Sequence, residues 1–367
     1  MTGRIFSIVR RLFRDGSNRS FLHLSSRQTY DYVRSDKIER RREVSYEVYL
    51  RDVRPPSLRQ CHQISTCFAG LCVAKMSRFI LKRSIANDTV CVAMAQILDG
   101  KQLATRIHEK IKTRVASLPS QPGLAVLLVG DDPASHLYVS LKQQACEEAG
   151  IRFEKFLYPS TEPEITLIQK IHELNAREDI HGILVQLPLP SQSADRVILA
   201  INPLKDVDGF HPENLERLRR GEPCIASAVA LGVMKLIDEA KAVGQACIIS
   251  SPLFAAPLEI LLKERGASSQ VVQAESPTLG EQSRHADILI IAKGIPGFIR
   301  GDMVKPGAVV IDVGTTRTDT GLRGDVDFAS VEPVAGAITP VPGGVGPMTV
   351  AMLLVNILKA YDLQRKA

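Results

Sequence analysis

The sequence predicts an α/β protein of two lobes, each built on a mostly parallel sheet with helices on both faces. Two observations predict it. Short apolar runs that read as buried strands alternate with stretches of helical apolar spacing, and the alternation occurs in two successive series that divide near residue 228. A length of 367 residues leaves room for two proper cores.

In the first series, 97–100 reads as a short strand and turn, and Leu103, Ile107, Ile111 and Val115 mark one face of a helix. The run 124–129 is a strand. Gly130-Asp131-Asp132-Pro133 then turns the chain into a helix over 135–149, with Asp132 or Ser135 near its cap and Gly150 at its end. A strand at 152–157, a helix at 164–176 and a strand at 182–186 follow. The second series places strands at 246–249, 270–273, 288–292 and 309–313, and a long apolar helix over 346–361 closes the chain. No internal sequence repeat relates the two series.

Composition bounds the function. The chain is 45% hydrophobic and 23% charged, ordinary for a globular protein, and its net charge of +6 is unevenly placed. Residues 1–93 hold 18 Lys and Arg against 8 Asp and Glu, which leaves 28 against 32 in 94–367. The regular part is therefore mildly acidic, and no nucleic-acid partner is expected. Apolar runs such as 287–292 and 308–313 are far too short to cross a bilayer, so no membrane partner is expected either. Seven cysteines without metal-ligand spacing, Cys61, Cys67, Cys72 and Cys91 among residues 1–93 and Cys146, Cys224 and Cys247 beyond, read as reduced thiols of an intracellular protein, with no metal site. Residues 1–93 form a basic extension for which no packed domain is expected. It reads as translated upstream sequence, as a targeting segment (1–28 is rich in Arg and Ser), or as a basic interaction tail.

Four stretches stand at strand ends or in Gly/Pro-rich loops. Tyr138 and Lys142, four residues apart, share one helix face at the carboxyl edge of a sheet, or simply decorate an amphipathic helix. Gln186, in Val185-Gln186-Leu187-Pro188, ends a buried strand and is either satisfied by the backbone or presented to a site. Lys205-Asp206-Val207-Asp208-Gly209 puts two carboxylates at a turn, where they can bind Mg²⁺, act as an acid/base couple or shape the turn. Thr339-Pro340-Val341-Pro342-Gly343-Gly344-Val345-Gly346-Pro347-Met348-Thr349 leads into the last helix, as a flexible connection or as backbone able to approach a ligand.

In this order and wording, the stretches resemble the bifunctional methylenetetrahydrofolate dehydrogenase/methenyltetrahydrofolate cyclohydrolase family over residues 95 to about 362, and the continuation 209–214 looks like bacterial members. The resemblance implies a folate-binding catalytic lobe over 95–228, a Rossmann-like NAD(P)-binding lobe over 229–340, and a loop and helix over 341–363 returning to the first lobe. It implies that Lys142 is the catalytic lysine, that Gln186 hydrogen-bonds it, that Tyr138 packs on the folate and that Asp208 grips the pterin. Val185, Leu187, Gly344, Val345, Gly346 and Pro347 would line the substrate cleft. It further implies NADP as cofactor, with NAD as the alternative, tetrahydrofolate derivatives as substrates, a homodimer, and a cytoplasmic location, or the mitochondrial matrix if 1–28 is a presequence.

The pattern breaks on the nucleotide side. The family's Gly-Arg-Ser or Gly-Ala-Ser turn, followed by Val-Gly-x-Pro, is replaced by Ser250-Ser251-Pro252-Leu253-Phe254-Ala255-Ala256-Pro257, without either glycine. Ser227-Ala228-Val229-Ala230 and Thr315-Thr316-Arg317 also depart from it. Ser250, Ser251, Pro252 and Thr315 are the residues left to meet the cofactor. Four functions stay open: the bifunctional enzyme, a cyclohydrolase that has lost the dehydrogenase step, a non-catalytic folate-binding homologue, and a Rossmann dehydrogenase of another substrate.

Overall fold

Seven consecutive apolar residues, Gly123–Val129, form a strand buried along its whole length, and the lobe around it follows from that burial. The structure, a computed structural model, describes residues 94–319 and 321–366. The basic extension 1–93, with the three readings attached to it, lies outside them.

The chain begins with β1 (Gln96–Ile97), α1 (Gly100–Ala116), β2 (Gly123–Val129), α2 (Pro133–Ala149), β3 (Arg152–Tyr158), α3 (Glu164–Ala176) and β4 (Gly182–Val185). Strands β3-β2-β4, in that order, make a parallel three-stranded sheet. The short helices α4 (Ala194–Leu199) and α5 (Pro212–Arg219) lead to α6 (Ala228–Glu239), β5 (Gln245–Ile249), α7 (Pro252–Glu264), β6 (Ser268–Val272), α8 (Leu279–His285), β7 (Ile288–Ile291) and β8 (Val309–Asp312). A small antiparallel hairpin of β9 (Thr316–Thr318) and β10 (Gly321–Arg323) precedes α9 (Phe328–Val331), β11 (Ala337–Ile338) and the last helix, α10 (Val345–Gln364).

The second sheet has six parallel strands in the order β1-β11-β8-β7-β5-β6. Leaving β5, the chain goes first to one side (β6) and then to the other (β7), so the crevice at their carboxyl ends is the topological switch point, where such sheets hold ligands. The first strand departs from expectation. The sequence places it in the first lobe, whereas β1 pairs with β11 at the edge of the second sheet, Gln96 opposite Ala337. The cause is non-local: β2 already has β3 and β4 on its two edges, and the start of α1 is tied to the 343–344 loop by Lys101 N–H donating to the Gly343 carbonyl at 3.0 Å.

Helix α10 is buried through most of its length and packs on α1, α2 and α6. One continuous core runs from Val126 and Leu128 of the first sheet through Ile107, Met352 and Leu354 to Ile248 and Ile290 of the second. The two lobes thus share a helical layer. Beneath β4, His181 accepts a hydrogen bond from Gly123 N–H at its Nδ1 (3.1 Å) and stacks on Tyr361 at 4.7 Å between ring centroids.

Burial, with the Lys205 ammonium nearby, holds the His181 imidazole down at about 4. Because the folded value is depressed, the unfolded chain takes up its proton first as pH falls. The stability this residue gives is complete above about 6.5 and is lost toward pH 4. Between pH 6.5 and 4, the wild type should lose about 2–3 kcal/mol more of its urea unfolding free energy than His181→Gln does.

Candidate active site

The site grows from the inward face of α2. Asp132 caps this helix, accepting from the Ser135 amide and hydroxyl at 3.2 and 2.9 Å, Pro133 opens it, and Gly150 ends it with φ +78°. Its buried stripe is Val139, Lys142, Cys146 and Ala149, so a lysine occupies a position that helical spacing assigns to the core. Lys142 is only 8% exposed, and its Nζ donates to Gln186 Oε1 at 2.9 Å.

Strand alternation explains why Gln186 is there. Ile183 and Val185 face the core under α3, while Leu184 faces the α1 and α2 side, and Gln186 comes next on that side. Its amide is oriented by donating Nε2–H to the Leu187 carbonyl at 2.7 Å. The side chain of Val185, a residue expected at the substrate, lies in the core, because the same alternation turns it away from Gln186.

The 205–209 stretch separates into parts. Lys205 Nζ donates to the carbonyls of Leu174, Asn175 and Arg177 at 3.1, 2.9 and 2.7 Å, closing the carboxyl end of α3. Asp206, 2% exposed and pushed up to about 6 by burial, accepts from the amides of Gly209 and His211, so it shapes the turn. Asp208 is held by its neighbours. Asn356 of α10 donates to the carbonyls of Val207 (2.8 Å) and Ala226 (2.9 Å), and Ala228 N–H donates to the Asp208 carbonyl. Gly209 adopts φ +76° with its α-carbon against the Ala226 carbonyl; a β-carbon there would lie 2.5 Å from that carbon. Burial lowers the Lys142 amine below the usual lysine range, opposed by Asp208, and burial raises the Asp208 carboxyl, opposed by Lys142. Both groups are driven toward their neutral forms, and each is the other's main electrostatic support.

A cavity of about 420 Å³ opens between the lobes; its lining includes the α2 neighbours of Lys142 but not Lys142, Gln186, Leu187 or Asp208 themselves. Tyr138, Leu141 and Ala145 of α2 form one wall, the Pro340–Pro347 loop, with Gly344, Val345 and Gly346, another, and Asp312, Thr315 and Leu322 of the second lobe a third. Tyr138 is one helical turn from Lys142. Thr315, expected with the cofactor residues, belongs to this cavity rather than to the β5–α7 turn. Sequence reasoning missed Lys101 and His108, which line it from α1, and Asp312, whose carboxyl accepts from the amides of Gly314, Asp325 and Val326 and is pushed up to about 7 by burial. The Asp99-Gly100-Lys101 turn was the available signal for Lys101, since a helix capped there starts against the 343–344 loop.

On the nucleotide side, Ser251 caps α7 and its hydroxyl takes the Phe254 amide at 3.3 Å, while Pro252 at the first helical position has no amide hydrogen. The Ser250 hydroxyl donates to the Ser251 carbonyl at 3.1 Å. Fewer amides remain for an anion than at an ordinary helix amino end. Among the described residues no group of three or more His, Cys, Asp or Glu is gathered as a metal site, and no helix is long and apolar enough to cross a membrane.

Comparison with known proteins matches residues 98–208 to the tetrahydrofolate dehydrogenase/cyclohydrolase catalytic domain and residues 227–365 to the tetrahydrofolate dehydrogenase/cyclohydrolase NAD(P)-binding domain. The chain is similar to the bifunctional protein FolD of Bordetella avium (strain 197N), 49% identical over 282 residues, covering 73% of this chain and 98% of that protein. Among solved structures it is similar to the bifunctional FolD methylenetetrahydrofolate dehydrogenase/cyclohydrolase from Campylobacter jejuni, with TM-score 0.70, 39% identity and coverage of 73% and 99%. It is also similar to the Trypanosoma brucei N5,N10-methylenetetrahydrofolate dehydrogenase-cyclohydrolase complexed with NADP and inhibitor, with TM-score 0.71, 33% identity and coverage of 75% and 100%.

The Asn356 clamp has a measurable weight. Asn356→Leu removes both hydrogen bonds at once, and the loss of unfolding free energy measured in urea should be about 2–4 kcal/mol.

Proposed function

The chain belongs to the tetrahydrofolate dehydrogenase/cyclohydrolase family, and from that premise we propose that it oxidises 5,10-methylenetetrahydrofolate to the 5,10-methenyl form with NADP and hydrolyses that product to 10-formyltetrahydrofolate. The observation that carries this reading is the buried Lys142 amine, held by Gln186 and facing Asp208 beside a cavity walled by Tyr138 and the 340–347 loop.

The methenyl group is an amidinium cation. Next to it, a buried lysine is disfavoured as ammonium twice over, by desolvation and by like charge. Lys142 Nζ, fixed by Gln186 Oε1, takes a proton from the attacking water as its oxygen bonds the one-carbon centre. The ammonium so formed returns that proton to the departing ring nitrogen as the carbon–nitrogen bond breaks, and the second proton of the water leaves the one-carbon oxygen for solvent as the formyl carbonyl forms. Asp208 accepts from the amino-pyrimidine edge of the pterin and helps hold the transient ammonium charge. Tyr138 packs on the folate and, with Leu187 and the 344–347 loop, sets its position, the glutamate tail pointing outward.

The residues present fit a dinucleotide at the switch point. The crevice lies at the carboxyl ends of β5 and β7, and the Ser250 and Ser251 hydroxyls and the remaining α7 amides stand where a pyrophosphate would lie. NADP, when bound, supplies the hydride acceptor for the oxidation. This chain's part in that step is placement: it orients the folate and excludes water from the cavity. The family resemblance further supports a homodimer acting in the cytoplasm, with the mitochondrial matrix as the alternative attached to residues 1–28.

Loss of methenyl absorbance, followed with the full chain, should slow about 10²–10⁴-fold in Lys142→Met. Lys142→Arg should do no better, since a guanidinium does not deprotonate. The wild-type rate should fall as pH drops through the lowered lysine value, because only the amine accepts the proton. Equal rates in wild type and Lys142→Met would remove the proposed base. Calorimetric titration should show heat with NADP; no heat with NADP or NAD alongside active hydrolysis would select the hydrolase-only reading.

A further inference from the structure

The nucleotide side contains an ion pair that the reaction, as derived so far, does not use. Lys293 Nζ donates to Glu275 Oε1 at 2.6 Å. Glu275 follows the end of β6 by three residues, and Lys293 follows the end of β7 by two. Because β5 lies between β6 and β7, the pair spans the carboxyl end of β5, above the Ser250-Ser251 turn into α7. Adjacent strands are about 4.8 Å apart, so the two strand ends are separated by about 10 Å, a gap that a lysine and a glutamate chain together close.

The two partners differ in freedom. The root of Lys293 is anchored: its amide and that of Gly294 donate to Asp325 Oδ2 at 2.5 and 2.8 Å, and the Ile295 amide donates to Oδ1 at 2.8 Å. The Lys293 side chain is 20% exposed and that of Glu275 71%. The lysine is rooted through its backbone, and the glutamate side chain is the more exposed of the two.

In a doubly wound sheet the adenosine ribose of a dinucleotide lies beyond the second strand of the nucleotide unit, here β6. An acid there takes the ribose 2′-hydroxyl, and a cation takes a 2′-phosphate. This chain presents both, bonded to each other. We propose that Glu275 and Lys293 together read the 2′ position of the nucleotide. Lys293 binds the 2′-phosphate of NADP when Glu275 swings toward solvent, and Glu275 accepts the 2′-hydroxyl of NAD while it stays paired. Glu275 is thus a brake on selectivity for NADP, and the oxidation runs with both nucleotides. This inference rests on the dehydrogenase reading above.

The test is the ratio of kcat/KM for NADP to that for NAD in methylenetetrahydrofolate oxidation by the full chain, with methenyl hydrolysis measured in parallel and folding checked by thermal melting. Glu275→Gln should raise the ratio about tenfold and Lys293→Met should lower it about tenfold, as expected for one charge gained or lost against a phosphate. Lys293→Arg should restore it. Ratios within twofold of wild type in both Glu275→Gln and Lys293→Met would overturn the inference and leave the dehydrogenase intact. Absence of oxidation with either nucleotide in the wild type, with hydrolysis preserved, would remove the dehydrogenase reading and this inference with it.

Discussion

A lysine amine with less than a tenth of its surface in contact with water sets the terms for everything around it. An ammonium that deep costs several kcal/mol unless it is paired and hydrogen-bonded, so the surroundings must supply an acceptor, a counter-charge, or a reason to shed the proton. Here they supply all three: Gln186 accepts, Asp208 balances, and desolvation favours the amine. Those groups come from a helix, a strand end and a turn that are distant in sequence. The architecture of the first lobe is the arrangement that brings them to one point.

Much of this was legible beforehand, and the misses have identifiable causes. Local signals placed the strands and helices: the apolar run of β2, the Asp132-Pro133 cap and the Gly150 stop all act within a few residues. What failed was non-local. The partner of the two-residue β1 lies some 240 positions away, and no local pattern announces it. The core role of Val185 was readable in principle, since alternation from Ile183 fixes its side, but its place beside Gln186 in a site-like motif outweighed the period. Lys205 and Asp206 sit in the same short stretch as Asp208 and serve the backbone instead. Asn356 is hidden in an apolar helix, where only its two hydrogen bonds to the carbonyls of Val207 and Ala226 give it meaning.

The two sides of the cleft were built under different constraints. A one-carbon centre must be held to a fraction of an ångström, so the groups proposed to act on it, Lys142, Gln186 and Asp208, tolerate no drift. Dinucleotide binding spreads over many weak contacts along an extended ligand, so a serine turn in place of glycines, or a proline in place of an amide, alters affinity without removing the crevice that the strand order creates. That difference explains why the departures in sequence collect around Ser250–Pro257 while the Lys142 cluster stays complete.

The last helix also bears on how the molecule comes into being. Asn356 is far along the chain from Asp208, and the sheet edge that closes on Gln96 is made by Ala337 and Ile338, so the turn holding Asp208 gains its clamp only when pairings of wide sequence separation have formed. Pairings of such wide sequence separation place this protein among the slower folders. Until they form, the apolar faces of α1 and α6 that α10 covers stay open to water.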